Sequence, residues 1–246
     1  MTFQTFIFVH NQDIILDFIR HKKFNNFSNL TYVFLGKNDI SKLENLDNVI
    51  IARNLENNIE EYPKLTSYTG WYALWKNNLL KGKYINLFEY DINTISNLEE
   101  ILNEVIETKK FDIFGYIPHN VHSYEYLRHT PWSQNLITSL IKNYNINIID
   151  FIESLPKNTI CSMTSNHTFK LDRFNEYMEW VDILVNDIKK SIFSGHEIER
   201  SISVFYLLNQ IPYKILNNTI THFQFDSHQT QGIGEQKFIN NYNKLL

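Results

Sequence analysis

The chain has 246 residues, a formal net charge of −4, and 43% apolar and 15% aromatic residues. That length suits one sizeable α/β domain, and the apolar share excludes a disordered chain. The mild acidity excludes the basic face of a nucleic-acid binder, and the single cysteine, Cys161, excludes a disulfide framework and points to a reducing compartment. No apolar run approaches the roughly 18 residues of a membrane span, and no charged-then-apolar leader opens the chain. A soluble, cytoplasmic protein without a transmembrane segment is therefore expected, with peripheral membrane contact left open.

Thr5 to Val9 is a β-branched and aromatic run, followed by His10-Asn11 and then by Ile14, Ile15, Phe18 and Ile19, which reads strand, loop, helix. Thr31 to Leu35 is a second strand stopped by Gly36, and Val49 to Ala52 a short third. Pro63 opens a helix carrying Leu65, Tyr68, Tyr72, Trp75 and Leu79 at helical spacing, with Gly82 beyond its end. Tyr84 to Phe88 is a buried-strand run that finishes on Glu89-Tyr90-Asp91. A helix over Asn97 to Thr108 and a strand over Phe111 to Ile117 follow. In the second half, helices are predicted over Pro131 to Asn143, Arg173 to Ser191 and Ser194 to Leu208. Strands are predicted over Ile160 to Thr164 and within Tyr213 to Phe223. Strand–helix–strand order with short connections predicts an α/β fold with a mostly parallel sheet flanked by helices. No repeat or long linker divides the chain, so a single domain is expected over residues 1–246.

The acidic strand end is the most informative feature. Ligands of open α/β sheets collect at the carboxyl ends of strands, and hard cations such as Mg²⁺ or Mn²⁺ bridge one or two carboxylates to substrate phosphates. Glu89 and Asp91 suit that task, against the plainer reading of an acidic turn in solvent. His222 and His228 follow a late strand and can complete a coordination shell. His222 alternates with apolar residues and reads as half-buried in its strand, whereas His228 lies in a polar segment and is the stronger candidate. Ser194 with Glu197 matches a capping box, which makes Glu197 structural. Glu199 has no such role and is the candidate general base, with Arg200 beside it to pair with it or with a phosphate. Lys76 can reach a phosphate, and His119, Trp132 and Asn166 lie near strand or loop ends where they can touch a ligand. Cys161 sits in an apolar strand and reads as packing, and no glycine-rich phosphate loop is present.

Three segments carry a family resemblance. Leu65 to Asn77, ending in Trp75-Lys76-Asn77, resembles the aromatic helix of bacterial polysaccharide glycosyltransferases. Ser165-Asn166 through Phe174, Tyr177, Glu179 and Trp180 resembles their later segment, and Glu199-Arg200 their Glu-Arg helix start. The resemblance implies a GT-A-like nucleotide-binding α/β sandwich. It further implies a nucleotide-sugar donor, a glycan acceptor, and a D-x-D-like motif binding Mn²⁺ or Mg²⁺ with the donor diphosphate. By position, Glu89-Tyr90-Asp91 is that motif and His228 the C-terminal metal-ligand histidine. The Glu in first place departs from the usual motif, so Asp91 is expected as the principal ligand and Glu89 as its assistant. His10 and Asn11 would lie near the nucleotide, and His119, Trp132 and Asn166 near the acceptor. Residues 1–117 would form the nucleotide-binding half and 118–246 the acceptor-binding and catalytic half, with Glu199 (or Glu197) as base of an inverting transfer. The rival expectations are a nucleotidyltransferase of related architecture and a degenerate nucleotide- or glycan-binding module.

Overall fold

Phe3–Val9 forms β1, in which Phe6 and Phe8 pack on one face and Phe3, Ile7 and Val9 on the other. The computed structural model that shows this describes residues 2–123, 126–127 and 133–222. Helix α1 (Gln12–Arg20) starts where the Asn11 carboxamide accepts the Asp13 N–H at 2.8 Å. Strands β2 (Leu30–Phe34) and β3 (Val49–Ile51) follow. Pro63–Leu65 is a single 3₁₀ turn that leads into α2 (Ser67–Lys76). Next come β4 (Tyr84–Glu89), the short β5 (Ile92–Thr94), α3 (Leu98–Thr108) and β6 (Ile113–Gly115). Beyond these lie β7 (Pro118–Asn120), α4 (Gln134–Tyr144), α5 (Ile148–Ser154), β8 (Ile160–Ser162) and β9 (His167–Lys170). The described chain closes with α6 (Leu171–Ile188), α7 (Ser194–Leu208), β10 (Tyr213–Ile215) and β11 (Ile220–His222).

Seven strands join in the order β10-β6-β9-β4-β1-β2-β3. All run parallel except β9, which is antiparallel to both β4 and β6. This is the mostly parallel, helix-flanked α/β sheet expected from the sequence. Two small antiparallel pairs, β5 with β11 and β7 with β8, stand beside it. One apolar layer joins the sheet to α2, α4, α6 and α7, and a second joins it to α1 and α3.

Four of the labelled elements escaped the sequence reading: β5, β7, α5 and β9. His167, Thr168 and Phe169 of β9 are all buried, so the strand shows no alternation of apolar and polar residues to betray it. The single strand expected over Phe111 to Ile117 is instead β6, and the chain then leaves the sheet to form β7. A polar chain crosses β1, β4 and β9 on the α1/α3 side and ends at Tyr116, just past β6. Asn86 donates to Thr5 Oγ1 at 2.9 Å, Thr168 Oγ1 donates to Asn86 Oδ1 at 2.6 Å, and Tyr116 Oη pairs with Thr168. Among the described residues no helix is long and apolar enough to cross a membrane.

Candidate functional site

The carboxyl ends of β1 and β4 lie side by side, and the antiparallel β9 brings its beginning, not its end, to the same edge. That reversal places Ser165 and Asn166 next to the last residue of β4. Alternation along β4 puts Glu89 on the side of Ile85 and Leu87, which is the side covered by α2 and α7. There Ser67 Oγ, in the first turn of α2, donates to Glu89 Oε1 at 2.9 Å. The Glu89 N–H donates to Asn166 Oδ1 at 2.8 Å, and Asn166 Nδ2 lies 3.3 Å from His222 Nε2. His222 reaches this position because β11 pairs with β5, setting His222 opposite Ile92 and beside Asp91. Glu199 comes from α7, where Ser165 Oγ donates to its Oε1 at 3.3 Å.

The tautomer of His222 follows from this network. Since Asn166 Oδ1 is taken by the Glu89 N–H, its amino group faces the imidazole and donates to Nε2. The ring proton then sits on Nδ1, directed at Asp91 Oδ1, 3.8 Å away. That separation is an electrostatic contact and too long for a hydrogen bond. Asp91 Oδ1 is buried without a hydrogen-bond partner among the described residues.

Negative charge dominates the cluster. Burial, and then the charge of Asp91, raise the Glu89 carboxyl well above the usual carboxylate range. Burial, and then the charge of Glu89, do the same to Glu199. Burial disfavours the charged form of His222, but Asp91, Glu89 and Glu199 together outweigh it and raise the imidazole above its ordinary value. On the other flank, burial pushes the Lys23 ammonium down to about 7 against the opposing pull of Asp91 and Asp17. Glu89, Asp91, Glu199 and His222 are each half-buried, none of them fully enclosed as a residue.

Such a cluster favours a cation. Among the described residues no three His, Cys, Asp or Glu side chains are disposed to enclose a metal ion. The donor set instead fits a hard divalent cation that takes one or two protein carboxylates and draws its other oxygens from a diphosphate. The Asp91 oxygen left without a hydrogen bond among the described residues is the observation that supports this fit.

Of the residues singled out in the sequence, the structure brings together Glu89, Asp91, Asn166 and Glu199. His10 joins them at the edge, its ring 5.0 Å from that of Tyr90 in an edge-on contact. His222, rated below His228 on its alternation with apolar residues, is the histidine that faces Asp91. His228 and Trp132 lie outside the described residues. Asn11 is occupied as the cap of α1. Lys76 lies at the far end of α2, paired with Asp182 at 3.3 Å, because the helix axis points its last turn away from Glu89. His119 sits on β7 opposite Cys161 with Nδ1 3.2 Å from Ile117 O. Glu197 is structural, as expected, but by a different route. Its carboxylate accepts the N–H groups of Asn135 (2.7 Å) and Leu136 (3.2 Å) and so caps α4, while among the described residues no side chain caps α7 itself. Arg200 is 3% exposed and donates to Tyr126 O and His196 O, which leaves it holding the chain rather than a phosphate. Burial pushes the Cys161 thiol up to about 12, in keeping with its reading as packing. Ser67 and Ser165 fall within two of the segments that carry the resemblance but were given no role, and no periodicity or spacing marks them out.

No family model matches the chain, and no curated protein matches it in sequence. Among solved structures, the apo form of WbbM, a bifunctional glycosyltransferase, matches 92% of this chain with a TM-score of 0.63 at 17% identity. The chain spans 46% of that structure's length. Glucosyl-3-phosphoglycerate synthase of Mycobacterium tuberculosis, in complex with Mn²⁺, UDP and phosphoglyceric acid, gives a TM-score of 0.41 at 9% identity, over 96% of this chain and 73% of that one. The mannosyltransferase Ktr4p of S. cerevisiae, in complex with GDP, gives 0.41 at 14% identity, over 94% and 75%. Likenesses as slight as these last two carry no argument. The likeness to WbbM shows the fold, which is the GT-A-like α/β sandwich that the sequence resemblance implied.

Proposed function

We propose that this chain is a glycosyltransferase that moves a sugar from a nucleotide-sugar donor to a hydroxyl of a glycan acceptor. The observation that carries the reading is the gathering of Glu89, Asp91, His222 and Glu199 at the carboxyl edge of a GT-A-like sheet. Asp91 would hold a divalent cation, Mn²⁺ or Mg²⁺, with Glu89 assisting; the cation would neutralise the charge that develops on the departing nucleoside diphosphate. His222, oriented by Asn166, steadies Asp91 from the side of β11. His10 and Tyr90, edge to face, form an aromatic corner beside the same strand end where a nucleotide base can pack.

Glu199 is the candidate base. It reaches the cluster from a different element than the donor-side acids, as a group that must take the acceptor's proton should. Attack by a hydroxyl deprotonated at Glu199, on the face opposite the leaving diphosphate, would invert the sugar's configuration.

The reading is tested by a thermal-shift screen of UDP, GDP and CMP, with and without Mn²⁺. The expected result is stabilisation by one nucleoside diphosphate that requires the metal, on the order of 2–3 kcal/mol at a hundredfold excess over Kd. Asp91→Asn should abolish it. If no nucleotide stabilises the protein under either condition, the proposal fails.

A further inference from the structure

Two motifs singled out in the sequence, Trp75-Lys76-Asn77 and Glu179-Trp180, do not enter the carboxylate cluster. They meet each other instead. A cavity of about 260 Å³ is lined by Trp75, Asn78, Leu80, Leu171, Asn175 and Glu179, at the far end of α2 and against the first half of α6. Trp75 lies about 12 Å further along the helix axis than Ser67, the residue that touches Glu89.

Each motif divides into residues that hold the fold and one that faces the cavity. Lys76 is paired with Asp182, and its ammonium sits 3.9 Å from the Trp75 ring centroid. Asn77 donates to Asn57 O and Ala73 O, both at 2.7 Å. Trp180 stacks on Tyr144 at 5.7 Å. What remains is Trp75, half-buried, and Glu179. The side chains of Asn78, Asn175 and Glu179 take no hydrogen bond or ion pair among the described residues. Their positions are nevertheless firm. Asn78, at φ +54°, closes α2, and the next residue's N–H returns to Leu74 O at 3.0 Å. Asn175 and Glu179 are one turn apart on α6.

We infer that this cavity is a saccharide subsite that holds a single uncharged pyranose ring. The lining chemistry selects that class. Glu179, which pairs with no cation among the described residues, repels phosphates and acidic sugars, and three polar groups uncommitted among those residues disfavour an apolar guest. Two carboxamides and a carboxylate offer donors and acceptors to a set of ring hydroxyls. The half-buried indole, one face of which carries the Lys76 ammonium, offers its remaining apolar surface to the C–H groups of a sugar. The volume lies below the roughly 300–1,000 Å³ of drug-sized pockets, which fits one ring rather than a nucleotide. That the ring belongs to a glycan acceptor, held by a unit remote from the reacting hydroxyl, rests on the proposed function.

Saturation-transfer difference NMR on the intact chain tests the site. The probes are methyl α-glucoside, methyl α-galactoside, methyl α-mannoside and N-acetylglucosamine, with adenosine as a stacking control, all without nucleotide or metal. The expected result is transfer to at least one sugar, lost in Trp75→Ala or in Asn175→Ala and retained in Asp91→Asn. Asn175→Ala removes only an amide from a half-exposed helix face, so it remains informative should Trp75→Ala fail to fold. The inference is overturned if no sugar in the panel shows transfer, if transfer persists in both variants, or if adenosine alone shows Trp75-dependent transfer. Because the nucleotide screen reads the carboxylate cluster and this experiment does not, failure of one leaves the other standing.

Discussion

Asn166 does two jobs with one side chain: its oxygen takes the Glu89 N–H and its nitrogen donates to His222. Removing it leaves a backbone donor unpaired and frees the imidazole. Asn166→Ala should lower the unfolding free energy by about 1–3 kcal/mol in urea titration. It should also shift the His222 ring proton away from Nδ1, read from long-range ¹H–¹⁵N correlations of the imidazole. A variant that loses stability while His222 keeps its tautomer would count against the orienting role. Gly70 makes the same point for packing. An added methyl there would sit 2.7 Å from the Phe8 ring and 2.9 Å from Leu35 Cδ2, both buried. Helix propensity alone favours Gly70→Ala by about 1 kcal/mol, whereas overpacking a core costs about 1–3 kcal/mol. The clash should win, and a lower urea midpoint for Gly70→Ala than for wild type is the expected outcome.

At the scale of elements, β9 carries the most weight for its length. It supplies the antiparallel link between β4 and β6, delivers Asn166 to the sheet edge, and buries His167 completely. Burial pushes the His167 imidazole down to about 3. The folded chain keeps it neutral while the unfolded chain takes a proton near pH 6.5, so the unfolded state binds the proton first as pH falls. The stability it contributes is complete above pH 6.5 and is lost between there and about 3, at about 1.4 kcal/mol per pH unit. Chemical denaturation at pH 6.5 and pH 5 should therefore show wild type losing about 2 kcal/mol more than His167→Phe. Equal losses in the two proteins would remove His167 as the cause. Helix α2 shows how an element divides its ends. Its first turn presents Ser67 to Glu89, and its last turn presents Trp75 to a separate cavity. Lys76, expected at the nucleotide, belongs to that second end.

For the whole molecule, the division into a nucleotide-binding half over 1–117 and a catalytic half over 118–246 does not correspond to a division of the sheet. Strand β9 comes from the second half yet lies between β4 and β6 of the first. A fragment of residues 1–117 would leave both strands without their common neighbour and expose one face of the sheet where α6 and α7 pack. It should show no cooperative urea transition by circular dichroism; a sharp transition would mean that the first half folds alone. The carboxylate cluster is likewise shared, with Glu89 and Asp91 from one half and Glu199 and His222 from the other. Neither half holds the proposed site by itself.

Local chemistry determined a good part of this by itself. The alternating and apolar runs marked out β1, β2, β4 and most helices, Ser194–Leu208 to the residue. The acids closing a buried strand singled out Glu89 and Asp91 as candidates, because a parallel strand that ends on charge leaves it at the sheet edge. Tertiary structure decided what depends on contacts between distant residues. Strand β9 is buried on both faces and carries no periodic signal, so only pairing with β4 and β6 reveals it. His222 reads as a half-buried strand residue until β11 pairs with β5 and carries it to Asp91. Glu197 and Glu199 sit two residues apart on one helix, and the helix rotation alone sends the first to cap α4 and the second into the cluster. Residue type and spacing specify which groups are available, and the packing of distant elements specifies which of them meet.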